Sequence, residues 1–203
     1  MKEEQDYIKD IAEIRSMMER SSKFVSLSGW AGIMAGIYAI SGAYIANRVY
    51  GFNPDDITDT SAASAMTEVL LLGVIILVLA LCTAIYFSYK RAGKRGERLW
   101  SATAKQLAIC MAIPLLAGGI LILVMISNGL VGLVAPFSLL FYGLALFNAS
   151  KFTYNAVKVL GLAEIGLGLL ASFFVGYGLL FWMLGFGIAH IIYGIYVYYR
   201  YER

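Results

Sequence analysis

Residues Leu160–Tyr199, LGLAEIGLGLLASFFVGYGLLFWMLGFGIAHIIYGIYVYY, form the longest apolar stretch near the C-terminus. The glycine pair at Gly176-Tyr177-Gly178 interrupts it, which predicts two membrane-spanning helices folded into an antiparallel hairpin at that turn. Glu164 and His190 are the only acid and the only histidine that hydropathy places inside hydrocarbon. These two residues are therefore the first candidates for a functional site.

Glu164 and His190 lie at matched depths in the predicted hairpin. Each is thirteen residues from Tyr177, one before the turn and one after it. With a rise of about 1.5 Å per residue, both fall near the middle of a hydrocarbon core about 30 Å thick. The same helical faces carry small residues that permit close helix approach, namely Gly161, Gly168, Gly187 and Gly194. We therefore expect the two side chains to meet.

Tyr142 and Tyr193 complete the candidate site. Tyr142 lies fourteen residues after a turn at Asn128 and so reaches a similar depth, and Tyr193 lies beside the face of His190. An unpaired carboxylate in hydrocarbon is costly, so Glu164 should be protonated or paired with the imidazole or a tyrosine. Two interpretations stay open: a site that handles a proton or a ligand, and a hydrogen-bonded buckle that fixes one helix pairing.

Composition assigns the chain to the integral membrane proteins. Of its 203 residues 60% are hydrophobic and 14% are charged, and the mean hydropathy is +0.75. These values predict an all-α transmembrane protein with little chain left for a soluble domain. The predicted spans, which pair as three hairpins, are residues 24–47, 66–89, 106–127, 130–149, 156–175 and 178–199.

The basic residues predict the orientation. With the N-terminus inside, fifteen of the sixteen lysines and arginines lie on the cytoplasmic side and only Arg48 lies outside. Both termini are then cytoplasmic. The net charge of +3 fits a cytoplasmic face against anionic membrane lipid better than it fits a nucleic-acid binder, because no exposed basic run is interleaved with stacking aromatics.

The chain divides into residues 1–22 and a transmembrane domain over residues 23–203. The first segment predicts a cytoplasmic amphipathic helix, because Tyr7, Ile11, Ile14 and Met18 follow heptad spacing. Its many acidic residues favour docking on the basic loop after the second span or a contact between two copies, and disfavour a place on anionic lipid. A homo-oligomer is therefore among the expected assemblies.

An internal repeat links the first and fifth spans. A shift of 132 positions aligns Gly29 with Gly161 and Gly36 with Gly168 without gaps. Glu164 replaces Gly32 in this alignment. The acid is thus an addition to the repeat, which favours a function for it.

The residue inventory argues against an enzyme. One histidine and one intramembrane acid do not supply the several ionisable or metal-binding groups that membrane enzymes gather, so we expect no catalytic residue, metal or cofactor. Cys82 and Cys110 lack CxxC spacing and are expected to be packed thiols. Two classes remain: a sensor or scaffold that binds a lipid-like or small ligand in the bundle, and a small transporter or channel that uses Glu164 and His190 as a proton-coupled gate. The first ranks ahead because the spans offer few polar residues to line a path.

Three runs carry a family resemblance: IKDIAEIRSMMERSSKFVSLSG, FYGLALFNASKFTYN and the stretch 160–199. They resemble a family of uncharacterised bacterial six-span inner-membrane proteins over nearly the whole chain. The resemblance implies the bacterial inner membrane as the location. It also implies a cytoplasmic regulatory protein as a partner, since genes of that family often neighbour a small winged-helix regulator.

Overall fold

The structure of the chain, a computed structural model, describes residues 27–52, 62–95 and 100–203. All regular elements within these ranges are helical. The long helices are α1 Gly29–Arg48, α2 Ala62–Arg95, α3 Ala102–Ser127, α4 Val134–Ala149, α5 Asn155–Phe173 and α6, a continuous helical run over residues 178–202. Among the described residues, six helical segments are long and apolar enough to cross a membrane, which agrees with the predicted number of spans. The helix predicted over residues 1–22 lies outside the described residues.

Several helix ends differ from the predicted spans. Leu27 and Ser28 are not helical, so α1 begins at Gly29 and not at residue 24. In contrast, α2 continues past residue 89 to Arg95, and α6 continues past residue 199 to Glu202. Hydropathy detects only the apolar part of a helix, whereas the backbone hydrogen bonds continue into the polar region beyond it.

The helices form an open array in which α6 holds the central position. The most extensive contacts join α4 to α5 and α1 to α6, and α6 also touches α4 and α5. At the edges, α2 packs on α1 and α3 packs on α4. None of the most apolar window of α2 is buried, and only 6% of that of α3. These two helices therefore leave most of their apolar surface exposed.

Glycine permits close approach in both central pairs, and the two pairs repeat one another. A Cβ on Gly36 would lie 2.5 Å from the Gly187 carbonyl oxygen, and one on Gly168 would lie 2.9 Å from the Pro136 carbonyl oxygen. The matching contacts in α4 and α6 are always 51 positions apart. They are Pro136 and Gly187, Leu140 and Ile191, Gly143 and Gly194, and Phe147 and Tyr198.

The repeated unit is thus a glycine-packed antiparallel helix pair, α4 with α5 and α6 with α1. This finding extends the 132-position repeat between α1 and α5, because their packing partners repeat as well. The two copies differ at the centre of the interface. Glu164 stands where the other copy has Gly32, and His190 stands where the other copy has Leu139.

Candidate functional site

Glu164 and His190 meet where the two helix pairs touch. Glu164 lies on α5 with no exposed surface, and His190 lies on α6 with 5% exposed. The imidazole Nδ1 is 3.3 Å from the carboxylate Oε1. The matched depth of the two residues about the turn explains this contact, since antiparallel helices place equal counts at equal heights.

Tyr142 closes the cluster on the other side of the imidazole. Its hydroxyl oxygen lies 2.9 Å from Nε2 of His190. The two rings also stack, with centroids 5.4 Å apart and planes inclined by 30°. Phe186 packs against the Tyr142 ring at 5.0 Å and so covers the cluster with apolar surface. We name Glu164, His190 and Tyr142 the central cluster.

The backbone carbonyl of Gly185 determines which imidazole nitrogen carries a proton. Its oxygen lies 3.0 Å from Nδ1 of His190, and a carbonyl oxygen only accepts hydrogen bonds. Nδ1 therefore donates to Gly185. When the imidazole is neutral, Nε2 accepts the hydrogen bond that the Tyr142 hydroxyl donates.

The carboxylate of Glu164 remains short of hydrogen bonds. The 3.3 Å separation from Nδ1 is within ion-pair range, but that N–H is directed at Gly185 and neither carboxylate oxygen has a hydrogen-bond partner among the described residues. We therefore describe the contact between Glu164 and His190 as a close approach of two ionisable groups and not as a hydrogen bond. A hydrogen bond requires the N–H to point at the acceptor, and this N–H points at Gly185. A fully buried carboxyl in this condition costs free energy.

Gly185 is a site residue that sequence reasoning missed. A Cβ at this position would overlap Oε2 of Glu164 and would lie 2.5 Å from Cδ2 of Leu139. Glycine thus provides the space that the carboxyl occupies. The sequence signal was the pair Gly185-Phe186-Gly187, although nothing in it showed which neighbour fills the space.

The backbone that carries Gly185 is itself unusual. Met183–Ala189 forms a π-helical stretch inside α6, immediately before His190. Single π turns in α-helices occur often at functional sites, because the extra residue changes the direction of the side chains that follow. Here the stretch brings the Gly185 carbonyl and His190 ring into hydrogen-bond contact.

Tyr193 takes a different place from the other three candidates. It packs against the buried cluster of Leu146, Val157 and Leu160, where α4 and α5 meet. The structure gives it no hydrogen bond to Glu164, His190 or Tyr142 among the described residues. Three of the four candidate residues are therefore together, and Tyr193 lies beside them.

A second polar cluster lies at the end of the bundle that holds residue 28 and the C-terminus. The Arg91 guanidinium, 8% exposed, pairs with the Glu202 carboxylate at 2.7 Å. It also donates to the carbonyl oxygens of Leu27 and Tyr201 and to the Tyr154 hydroxyl. The Glu202 carboxylate in turn accepts from the backbone N–H of Gly29. We name Arg91 and Glu202, with these partners, the terminal cluster.

Sequence reasoning missed the terminal cluster because the predicted spans end at residues 89 and 199, which leaves Arg91 and Glu202 outside them. The continuation of α2 to Arg95 and of α6 to Glu202 buries the Arg91 side chain and leaves 13% of the Glu202 side chain exposed. The carboxylate lies at the positive N-terminal end of the α1 dipole, which adds to its stabilisation.

Comparisons with known proteins add no assignment to this geometry. No protein-family model matches the chain, and no curated protein or solved structure shows significant similarity to it.

Proposed function

We propose that this chain is a non-enzymatic membrane sensor or scaffold whose responsive element is the central cluster, binding a lipid-like or small ligand or a proton. The observation that carries the proposal is the Glu164 carboxyl, which is fully buried with no hydrogen-bond partner for either oxygen among the described residues. Buried polar groups in folded proteins are nearly always satisfied. An exception in the middle of a span therefore supports a role in binding.

The internal repeat indicates that Glu164 and His190 have a functional role and do not serve helix packing alone. The pair formed by α6 and α1 packs through the same glycine contacts with Gly32 in place of the acid. The pair formed by α4 and α5 packs with Leu139 in place of the imidazole. Close helix packing thus does not require either group, so the cost of burying them needs another explanation.

The π-helical stretch Met183–Ala189 supports a responsive role. It contains Gly185, which contacts both Glu164 and His190. Converting a π turn to regular α-helix would rotate the segment that follows, including His190. A ligand or proton that binds more tightly at Glu164 in one of these two forms, π-helical or α-helical, would shift the equilibrium toward that form.

The proposal also includes the setting of the protein. We place the protein in the six-span family and in a bacterial inner membrane, with three helical hairpins and with both termini in the cytoplasm. We also propose that it forms a homo-oligomer and binds a cytoplasmic regulatory protein. The absence of catalytic groups in the sequence, with one histidine in the chain, supports a non-enzymatic role.

The test is to identify what the purified protein retains. Native mass spectrometry of the wild type should show a bound molecule, and Glu164→Gln should lose it while remaining folded. Glu68→Gln is the matched control, because Glu68 is an exposed acid on α2. Retention by Glu164→Gln, or loss from the control as well, contradicts ligand binding at the central cluster.

One alternative has its own support. Glu164, His190 and Tyr142 are ionisable groups that lie next to one another, with separations of 3.3 and 2.9 Å, and buried ionisable side chains in spans often mark proton paths. A proton-coupled transporter or channel should show proton movement in proteoliposomes under an imposed gradient. Glu164→Gln should abolish that movement, whereas flux that persists in the variant contradicts this alternative.

A further inference from the structure

A cavity of about 680 Å³ opens beside the terminal cluster, between α1, α2 and the end of α6. Its walls combine two kinds of side chain. Trp30 and Phe87 supply aromatic surface, and Lys90, Arg91, Lys94 and Glu202 supply charge. Its volume lies within the usual range for ligand sites of about 300–1,000 Å³.

The charges in the cavity do not balance. Glu202 is neutralised by Arg91 at 2.7 Å, and its carboxylate also accepts from the Gly29 N–H. Lys90 and Lys94 are exposed, and neither ammonium group has a carboxylate partner among the described residues. Two positive charges are thus left to attract an anion from outside the described chain.

The two lysines are placed to hold one anionic group together. They are four residues apart on α2, so they lie on one face about one helical turn apart. Arg91 between them has its donors engaged in the terminal cluster and fixes the height of α2 against α1 and α6. The lysines therefore extend from a helix end that is already held in position.

We infer that this cavity binds a phosphate group through Lys90 and Lys94, with the aromatic walls covering the carbon attached to it. Phosphate supplies the negative charge and the several acceptor oxygens that two ammonium groups require. An anionic lipid headgroup and a soluble phosphate ester share this chemistry. The amphipathic lining and the half-exposed Trp30, 45% accessible, favour the lipid, since basic pockets between helices at the membrane surface suit such headgroups.

Occupancy should stabilise the junction of α2 with α1 and α6. The helix α2 buries none of its most apolar window and is fastened to the rest through α1 and through Arg91. A phosphate held between Lys90, Lys94 and the walls from α1 and α6 adds a further link. A ligand that binds only the folded state raises the unfolding temperature.

The experiment measures the unfolding temperature of the full chain in uncharged detergent. Phosphatidylglycerol, phosphatidylcholine and glycerol 3-phosphate are added separately to the wild type, to Lys90→Gln/Lys94→Gln and to the control Lys105→Gln/Lys151→Gln. The control removes two exposed lysines that do not line the cavity.

Phosphatidylglycerol should raise the unfolding temperature of the wild type and the control by several degrees, and the Lys90/Lys94 variant should lose most of that rise. Native mass spectrometry should show fewer bound phosphatidylglycerol molecules on the same variant. A rise with glycerol 3-phosphate as well, lost in the same variant, supports the phosphate site and assigns it to a soluble ester. An equal rise with phosphatidylcholine, or a rise that the Lys90/Lys94 variant retains, overturns the inference.

Discussion

The Glu164 carboxyl occupies the space that a side chain on Gly185 would need. A Cβ there would overlap Oε2 of Glu164, and the carbonyl of the same glycine accepts from Nδ1 of His190 at 3.0 Å. One residue of α6 thus accommodates the acid and orients the imidazole. The acid, the histidine and the π-helical stretch form one structural unit.

Gly185→Ala should destabilise the protein by about 1–3 kcal/mol, because the added methyl group overpacks a filled interior. Denaturant unfolding in detergent measures the change. The control is Gly166→Ala, where a Cβ meets nothing within 4 Å, and alanine there should be neutral or stabilising. In the double variant with Glu164→Ala, part of the lost stability should return. Equal effects at positions 185 and 166 would show that the space is not filled.

Glu164→Gln and His190→Ala should have different effects on the free energy of unfolding. The amide keeps the shape of the carboxyl and should leave the free energy of unfolding nearly unchanged. Removing the imidazole leaves the Tyr142 hydroxyl and the Gly185 carbonyl without their partner and should cost roughly 1–3 kcal/mol. Thermal unfolding of both variants in the same detergent measures the difference. A His190→Ala variant as stable as the wild type would refute the hydrogen-bonded arrangement.

The glycine-packed pairs should respond alike to substitution. A Cβ on Gly143 would lie 2.7 Å from the backbone nitrogen of Ile165, and one on Gly194 would lie 2.6 Å from that of Ile33. Alanine at either position would force two helices apart. It should lower the free energy of unfolding, measured by chemical denaturation, by about 1–3 kcal/mol. Gly73→Ala, in open space on α2, is the control. If Gly143→Ala and Gly194→Ala both matched that control, the close packing of both pairs would be wrong.

The sequence predicted the central cluster because depth in an antiparallel hairpin follows from counting. The depths of Glu164 and His190 followed from the position of the turn at Tyr177, and the depth of Tyr142 followed from the turn at Asn128. Tyr193 was placed less well, since the face of a side chain depends on helix rotation, and α6 contains a π-helical stretch that no residue pattern announced. The contact of Arg91 with Glu202 joins residues 111 positions apart, a separation that no local pattern encodes.

The proposed orientation predicts that the loop after α1 is outside. A variant whose single cysteine replaces Thr58, with Cys82 and Cys110 changed to serine or alanine, should react with a membrane-impermeant thiol reagent in intact cells. A cysteine at Lys151 should react only after the inner membrane is permeabilised. The reverse pattern would place the termini on the opposite side.

The contact between Glu164 and His190 is the central claim, and dipolar recoupling NMR tests it most directly. The chain has one histidine, so 15N-histidine labelling is specific, and 13C-carboxyl labelling of glutamate supplies the partner. Since Oε1 lies 3.3 Å from Nδ1, the carboxyl carbon should lie within about 4.5 Å of that nitrogen. The account predicts strong dephasing of Nδ1 that disappears in Glu164→Gln, which lacks the labelled carboxyl. Absence of dephasing in the wild type, or dephasing that the variant retains, would contradict it.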